Sequence, residues 1–190
     1  LYFDVAPPPS LLALSAQVPG SRALLAHCGS LSKVLSPGLR VGWMIAPADL
    51  LARATMCKQF SDAHTSTFAQ ATAAQYLKAG RMPGTLAKVR AVYAERARTM
   101  GEALRTELGD AISFSQPGGG LFFWARLTGA GGKVQDGNEL AKRAIEKGVA
   151  FVPGTPFFAS QPDHATLRLS FATADVAKIR EGVARLGQAL

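Results

Sequence analysis

The sequence predicts an α/β chain that passes into a smaller α+β layer, and three of its features carry that expectation. Two apolar runs, residues 23–28 and 41–46, flank a connection rich in serine and glycine, and both read as buried strands. Leu86, Val89, Tyr93, Ala97, Met100, Leu104 and Leu108 recur at spacings of three and four, which places an apolar stripe on one face of a long helix. Beyond that helix, strand-like runs alternate with helical ones, as helices packed on one face of a small sheet require.

Composition narrows the functional classes. With 190 residues, 48% hydrophobic and 18% charged, the chain is globular and long enough for one core or part of a second. No apolar run approaches a membrane span, and no signal-peptide pattern opens the chain. The net charge of +8 raises nucleic acid as a partner. However, the basic residues are mixed with acids, as in Lys88, Arg90, Glu95, Arg96, Arg98 and Glu102, which is the pattern of a solvated helix face. Direct nucleic-acid binding by this segment is not expected, and neither is membrane binding. Cys28 and Cys57 are far apart, form no metal-ligand or redox pair, and read as free, mostly buried thiols in a reducing cytoplasm.

Taken in order, Pro7-Pro8-Pro9 makes a stiff connector, and residues 10–16 form a short helix or turn. After the second apolar run, Pro47-Ala48-Asp49 starts a helix that runs to about Phe60, with proline and an acid in its first turn. Ser66 or Thr67 caps the next helix, 68–78, which Gly80 ends. Pro83 and Gly84 open the long striped helix and Gly109 closes it. A strand at 112–115, a turn at 117–120 and a strand at 121–127 follow. The glycine-rich stretch 128–137 reads as a loop, 138–147 as a helix ended by Gly148, and 149–152 as a short apolar run. The last strand, 166–171, precedes an amphipathic helix with Val176, Ile179, Val183, Leu186 and Leu190 on one side.

Two places carry chemistry. Lys33 sits on the connection between the two apolar runs, next to Gly29, Ser30 and Ser32, with Arg40 behind a Pro37-Gly38 turn. An amine, hydroxyls, backbone N–H groups and a guanidinium are what a phosphorylated aldehyde needs for anchorage. In the strand 166–171, the period of two sets Leu167, Leu169 and Phe171 on one face and Thr166, Arg168 and Ser170 on the other. An arginine among apolar neighbours must be paired or placed for a ligand, because burying a lone cation is costly. No spacing of His, Cys, Asp or Glu suggests a metal site.

Ser30-x-Ser32-Lys33, followed by Pro37-Gly38-Leu39-Arg40-x-Gly42-Trp43, closely resembles the cofactor-lysine motif of fold-type I, pyridoxal-phosphate-dependent aminotransferases. The nearest branch includes the 2-aminoadipate-type aminotransferases and the aminotransferase-like domains of certain bacterial transcription regulators. Two further stretches are similar to elements of the same family: Pro117-x-Gly119-Gly120-Leu121-Phe122-x-Trp124, and the Gly148-Val149 to Pro153-Gly154-x-x-Phe157 loop. Leu167-Arg168-Leu169-x-Phe171 resembles the strand whose arginine clamps the substrate α-carboxylate.

The resemblance implies the C-terminal part of a fold-type I transferase. Residues 1–95 would belong to the large cofactor domain, with the start of the interdomain helix, and 96–190 to a small α+β domain. Lys33 would hold pyridoxal phosphate as a Schiff base, with Ser30, Ser32 and Arg40 on the cofactor and Arg168 on the substrate. The implied function is transfer of an amino group between an amino acid and a 2-oxo acid by a cytoplasmic homodimer. The alternative is the effector-sensing domain of a GntR-type, pyridoxal-phosphate-dependent regulator. The aspartate and tyrosine that contact the cofactor ring in the family would lie upstream of Leu1. Residues 1–190 made alone are therefore expected to be inactive and poorly soluble or self-associated.

Overall fold

Local signals set most of the helices. A computed structural model describes residues 1–3, 5–132 and 135–190, and these divide into two compact units: Ala6–Val89, and Arg90–Leu190 together with Leu1–Val5. Part of the glycine-rich loop expected at 128–137, residues 133 and 134, lies outside the described residues, as does Asp4.

In the first unit, helix α1 (Leu11–Leu14) is capped by Ser10, whose hydroxyl accepts from the Ala13 N–H at 3.1 Å. Strand β1 (His27–Ser30) pairs antiparallel with β2 (Gly42–Ile45), in the register Gly29 to Trp43. Helices α2 (Ala48–Asp62) and α3 (Thr67–Lys78) follow, and Ser66 caps α3 by accepting from Ala69 N–H. The first apolar run does not form the strand expected of it. Gly20, at φ +79°, launches a 3-10 turn over Ser21–Leu24, and pairing begins only at His27. The expectation of burial also fails: Trp43, Met44 and Ile45 stand exposed on β2, and α2 has no buried residue. Apolar character alone does not bury a strand; a two-stranded ribbon needs a further layer against its face. Both cysteines are free, as expected, but exposed rather than buried, since each belongs to one of these uncovered elements.

Helix α4 (Met82–Leu108) gives residues to both units. The second unit holds a four-stranded antiparallel sheet in the order β3-β4-β6-β5, where β3 is Ile112–Phe114, β4 Phe122–Leu127, β5 Val152–Pro153 and β6 Thr166–Ser170. Helices α5 (Gly137–Glu146) and α6 (Val176–Ala189) complete it. Burial in β4 alternates along the strand, with Phe123, Ala125 and Leu127 inward. Together with Leu167, Leu169 and Phe171 these meet Leu104 of α4, Leu140 of α5 and Leu186 of α6 in one apolar core. The rings of Phe123 and Phe171 meet edge to face at 5.8 Å, and Phe114 adds a contact to Phe123 at 5.3 Å.

The glycines at 118–120 have a concrete partner. Phe3 N–H donates to Gly118 O at 2.9 Å and Gly120 N–H to Leu1 O at 2.6 Å, while a Cβ on Gly119 would fall 2.2 Å from Leu1 O. Only a glycine lets residues 1–3 lie against this turn. Among the described residues, no helix is long and apolar enough to cross a membrane, and no group of three or more His, Cys, Asp or Glu could hold a metal ion.

Candidate active site

The connection from β1 to β2 is organised on Leu31, the one residue of the loop that is buried. Its N–H donates to Val41 O at 3.0 Å. Its carbonyl accepts from the N–H groups of Leu35 and Ser36 at 2.8 and 3.1 Å, which curls 32–35 into a turn. That turn lifts Lys33 into solvent, and among the described residues its ammonium makes no hydrogen bond or ion pair. Ser30 Oγ accepts from Ser32 N–H at 3.1 Å, which leaves the Ser30 hydroxyl proton free to donate.

Arg40 follows a 3-10 turn over Pro37–Leu39 and takes the left-handed conformation at φ +53°. One guanidinium N–H donates to Pro37 O at 3.2 Å, so most of its five donors are unspent. It lines an open cleft of about 630 Å³ with Cys28, Trp43 and Met44 of the ribbon and Lys58 of α2, and Lys33 is not among the lining residues. Gly29 lets the Trp43 indole lie against it across the ribbon: a Cβ there would fall 2.2 Å from that ring, which would have to move. Ser30, Ser32, Lys33 and Arg40 thus share one connection and one unit, and no hydrogen bond joins Lys33 to the other three.

Arg168 belongs to the second unit. It stands on β6 opposite Trp124 of β4 and Val152 of β5, on the sheet face away from the core, as the strand period predicts. Thr166 shares its parity but is buried, because Thr166 O takes the Gly154 N–H at 2.7 Å and the 153–155 loop covers it. Arg168 has no acidic partner among the described residues, so the alternative of a structural ion pair finds no support. Instead its Cζ lies over the rings of Phe122 at 4.3 Å and Phe157 at 4.5 Å. Sequence reasoning does not single out those two rings. The signal it offers is an aromatic pair in the two glycine-led motifs, and only the sheet register and the 3-10 turn over Thr155–Phe157 bring them to the arginine.

The sequence profile of the class I and II aminotransferases matches residues 5–186. The chain is 44% identical over its whole length to the 2-aminoadipate transaminase of Thermus thermophilus, of which it covers 46%. It is 34% identical, over 96% of its length, to the HTH-type transcriptional regulator TauR of Rhodobacter capsulatus, of which it covers 36%. Among solved structures, LysN, an α-aminoadipate aminotransferase of Thermus thermophilus complexed with N-(5'-phosphopyridoxyl)-L-leucine, superposes with a TM-score of 0.90. It shares 42% identity and is matched by 100% of this chain over 47% of its own. The chain therefore spans just under half the length of these aminotransferases. With a family profile covering nearly all of it, this chain belongs to the class I and II aminotransferases, fold-type I, and corresponds to their C-terminal part.

Proposed function

We propose that this chain is the C-terminal part of a pyridoxal-phosphate-dependent aminotransferase that exchanges an amino group between an amino acid and a 2-oxo acid, with Lys33 as the covalent anchor of the cofactor. The observation that carries the reading is Lys33 itself. It is an exposed amine without a protein partner among the described residues, raised on a turn between Ser30 and Arg40.

The donor set fits the cofactor. Lys33 offers a primary amine for the aldehyde, Ser30 a hydroxyl proton, and Arg40 a guanidinium with spare donors for a phosphate dianion. Ser32 offers a second hydroxyl nearby in sequence. Pyridoxal phosphate, when bound, supplies the electron sink for electrons left at the substrate Cα. With the cofactor bound, the Lys33 amine would be the group of this chain that takes the proton from the substrate Cα and returns it in the second half of the transfer. Ser30, Ser32 and Arg40 hold the phosphate, and so fix the position of the reacting carbon before any proton moves. Arg168 takes the α-carboxylate of the amino acid.

In this reading residues 1–95 belong to the large cofactor domain and 96–190 to the small domain of a cytoplasmic homodimer. TauR favours a second reading, an effector-sensing domain that uses the same lysine. The enzyme takes precedence because the transaminase match is stronger and covers the whole chain. The test is an amino-donor panel, begun with 2-aminoadipate, assayed with the full-length protein against 2-oxoglutarate. Stoichiometric glutamate from at least one donor supports the enzyme. No turnover with any donor, together with sequence-specific DNA binding by an upstream helix-turn-helix domain, supports the regulator.

A further inference from the structure

We propose that Phe122 and Phe157 are positioning residues for Arg168, holding its guanidinium by their ring faces so that its N–H groups stay free for a planar carboxylate. This rests on the assignment of Arg168 to the substrate carboxylate and goes beyond it.

Arginines on sheet faces are commonly held by a carboxylate, which spends N–H donors and cancels charge. Arg168 has no such partner among the described residues, and no side-chain or backbone acceptor takes its guanidinium protons there. What it has is two aromatic faces at 4.3 and 4.5 Å, well inside the range in which a ring quadrupole attracts a cation. That attraction restrains the guanidinium without using a single N–H, so the fork that a carboxylate needs is both oriented and unspent.

The two rings come from different elements and are themselves fixed. Phe122 opens β4 opposite Ser170, diagonal to Arg168 across the ladder. Phe157 ends a 3-10 turn, where its N–H donates to Gly154 O at 3.0 Å, and Gly154 is tied to Thr166 O on the arginine's own strand. Trp124 meets the Phe157 ring edge-on at 5.6 Å and also touches Phe158 at 6.1 Å. Core packing does not account for either ring, since Phe122 is 39% and Phe157 48% exposed. Their placement over the arginine is what distinguishes them from scattered surface aromatics.

The test uses the full-length protein with Phe122→Leu and Phe157→Leu, which keep apolar bulk and remove the ring face, with Phe157→Tyr, which keeps the face, and with Arg168→Gln. Each leucine variant should raise KM for both amino acid and 2-oxo acid about 5- to 30-fold, the range that about one to two kcal/mol of lost cation–π attraction gives. The kcat should stay within about two-fold, Phe157→Tyr should restore KM, and the preference for a 2-oxo acid over its carboxamide should fall in proportion. Unchanged KM and unchanged carboxamide discrimination in both leucine variants, with Arg168→Gln impaired, overturns the aromatic restraint alone. Unchanged KM in Arg168→Gln overturns the carboxylate assignment and the restraint with it. A lowered melting temperature with KM intact shows packing only, and also overturns the proposal.

Discussion

Arg168 shows at the scale of one residue how a sheet face becomes a recognition element. Its position follows from strand period, because alternation is a local property of the backbone. Its neighbours do not, since Phe122 and Phe157 reach it only through antiparallel register and a turn that no local signal links to β6. Arg168→Lys keeps the charge but loses the fork, and should weaken binding of both substrates by on the order of 2–5 kcal/mol while cofactor absorbance stays normal. Substrate titration followed at the cofactor band measures it; loss of the band with normal substrate affinity would place Arg168 on the cofactor instead. Gly29 is a second case. Its place beside the serine-lysine run reads as smallness near a ligand, but the nearest obstacle is the Trp43 ring, 2.2 Å from where a Cβ on Gly29 would sit. Gly29→Ala should push the Trp43 ring off the ribbon and shift the tryptophan fluorescence; an emission spectrum identical to the parent's would contradict that packing.

Elements whose ends are set by local chemistry are legible in the sequence, and those set by partners are not. Ser66 caps α3 as expected, and Gly80, Gly109 and Gly148 take positive φ where the helices before them stop. Helix α5 is held at its start by Asp136, whose carboxylate accepts from Asn138 N–H at 2.7 Å and Glu139 N–H at 3.3 Å. The Asn138 backbone hydrogen bond, chief among the causes, keeps the Asp136 carboxyl below the usual aspartate range. Because the folded-state value lies below that of the unfolded chain, this contribution is complete at neutral pH. It is lost as pH falls past about 3.9, the unfolded value, and through the lower folded one. Asp136→Ala should cost about 0.5–2 kcal/mol at pH 7. Asp136→Asn should keep much of the cap and flatten the acid limb of a stability–pH curve; an unchanged acid limb would show that this carboxylate is not what titrates. The strand expected at 23–28 fails for the opposite reason. An apolar run states a preference for burial without saying which partner meets it, and a positive-φ glycine three residues earlier has already turned the chain.

At the scale of the whole molecule, burial is unevenly shared. Among the described residues the buried apolar side chains of the first unit are Leu31, Ala69 and Ala73, whereas the second unit has a continuous core from α4 through the sheet to α6. Amide exchange in the full-length protein should therefore be slow in β4, β6 and α6, the elements that carry this core. Fast exchange in those three elements would contradict it. The alternation of strands and helices makes the second unit readable because its sheet, helices and core nearly all come from one continuous stretch of chain. The first unit is legible more through its motif than through its packing. Its lysine, serines and arginine fall on one connection as expected, while the exposed ribbon beside them does not follow from apolar runs alone.

Borohydride reduction of the full-length holoprotein tests whether Lys33 is the cofactor's covalent anchor. Reduction fixes the attachment, and proteolysis with mass spectrometry then locates it. A phosphopyridoxyl mass is expected on the peptide that carries Lys33 and is expected to be absent from Lys33→Ala, which should fold normally and lose all turnover. A label on another lysine, with Lys33 unmodified, would contradict it.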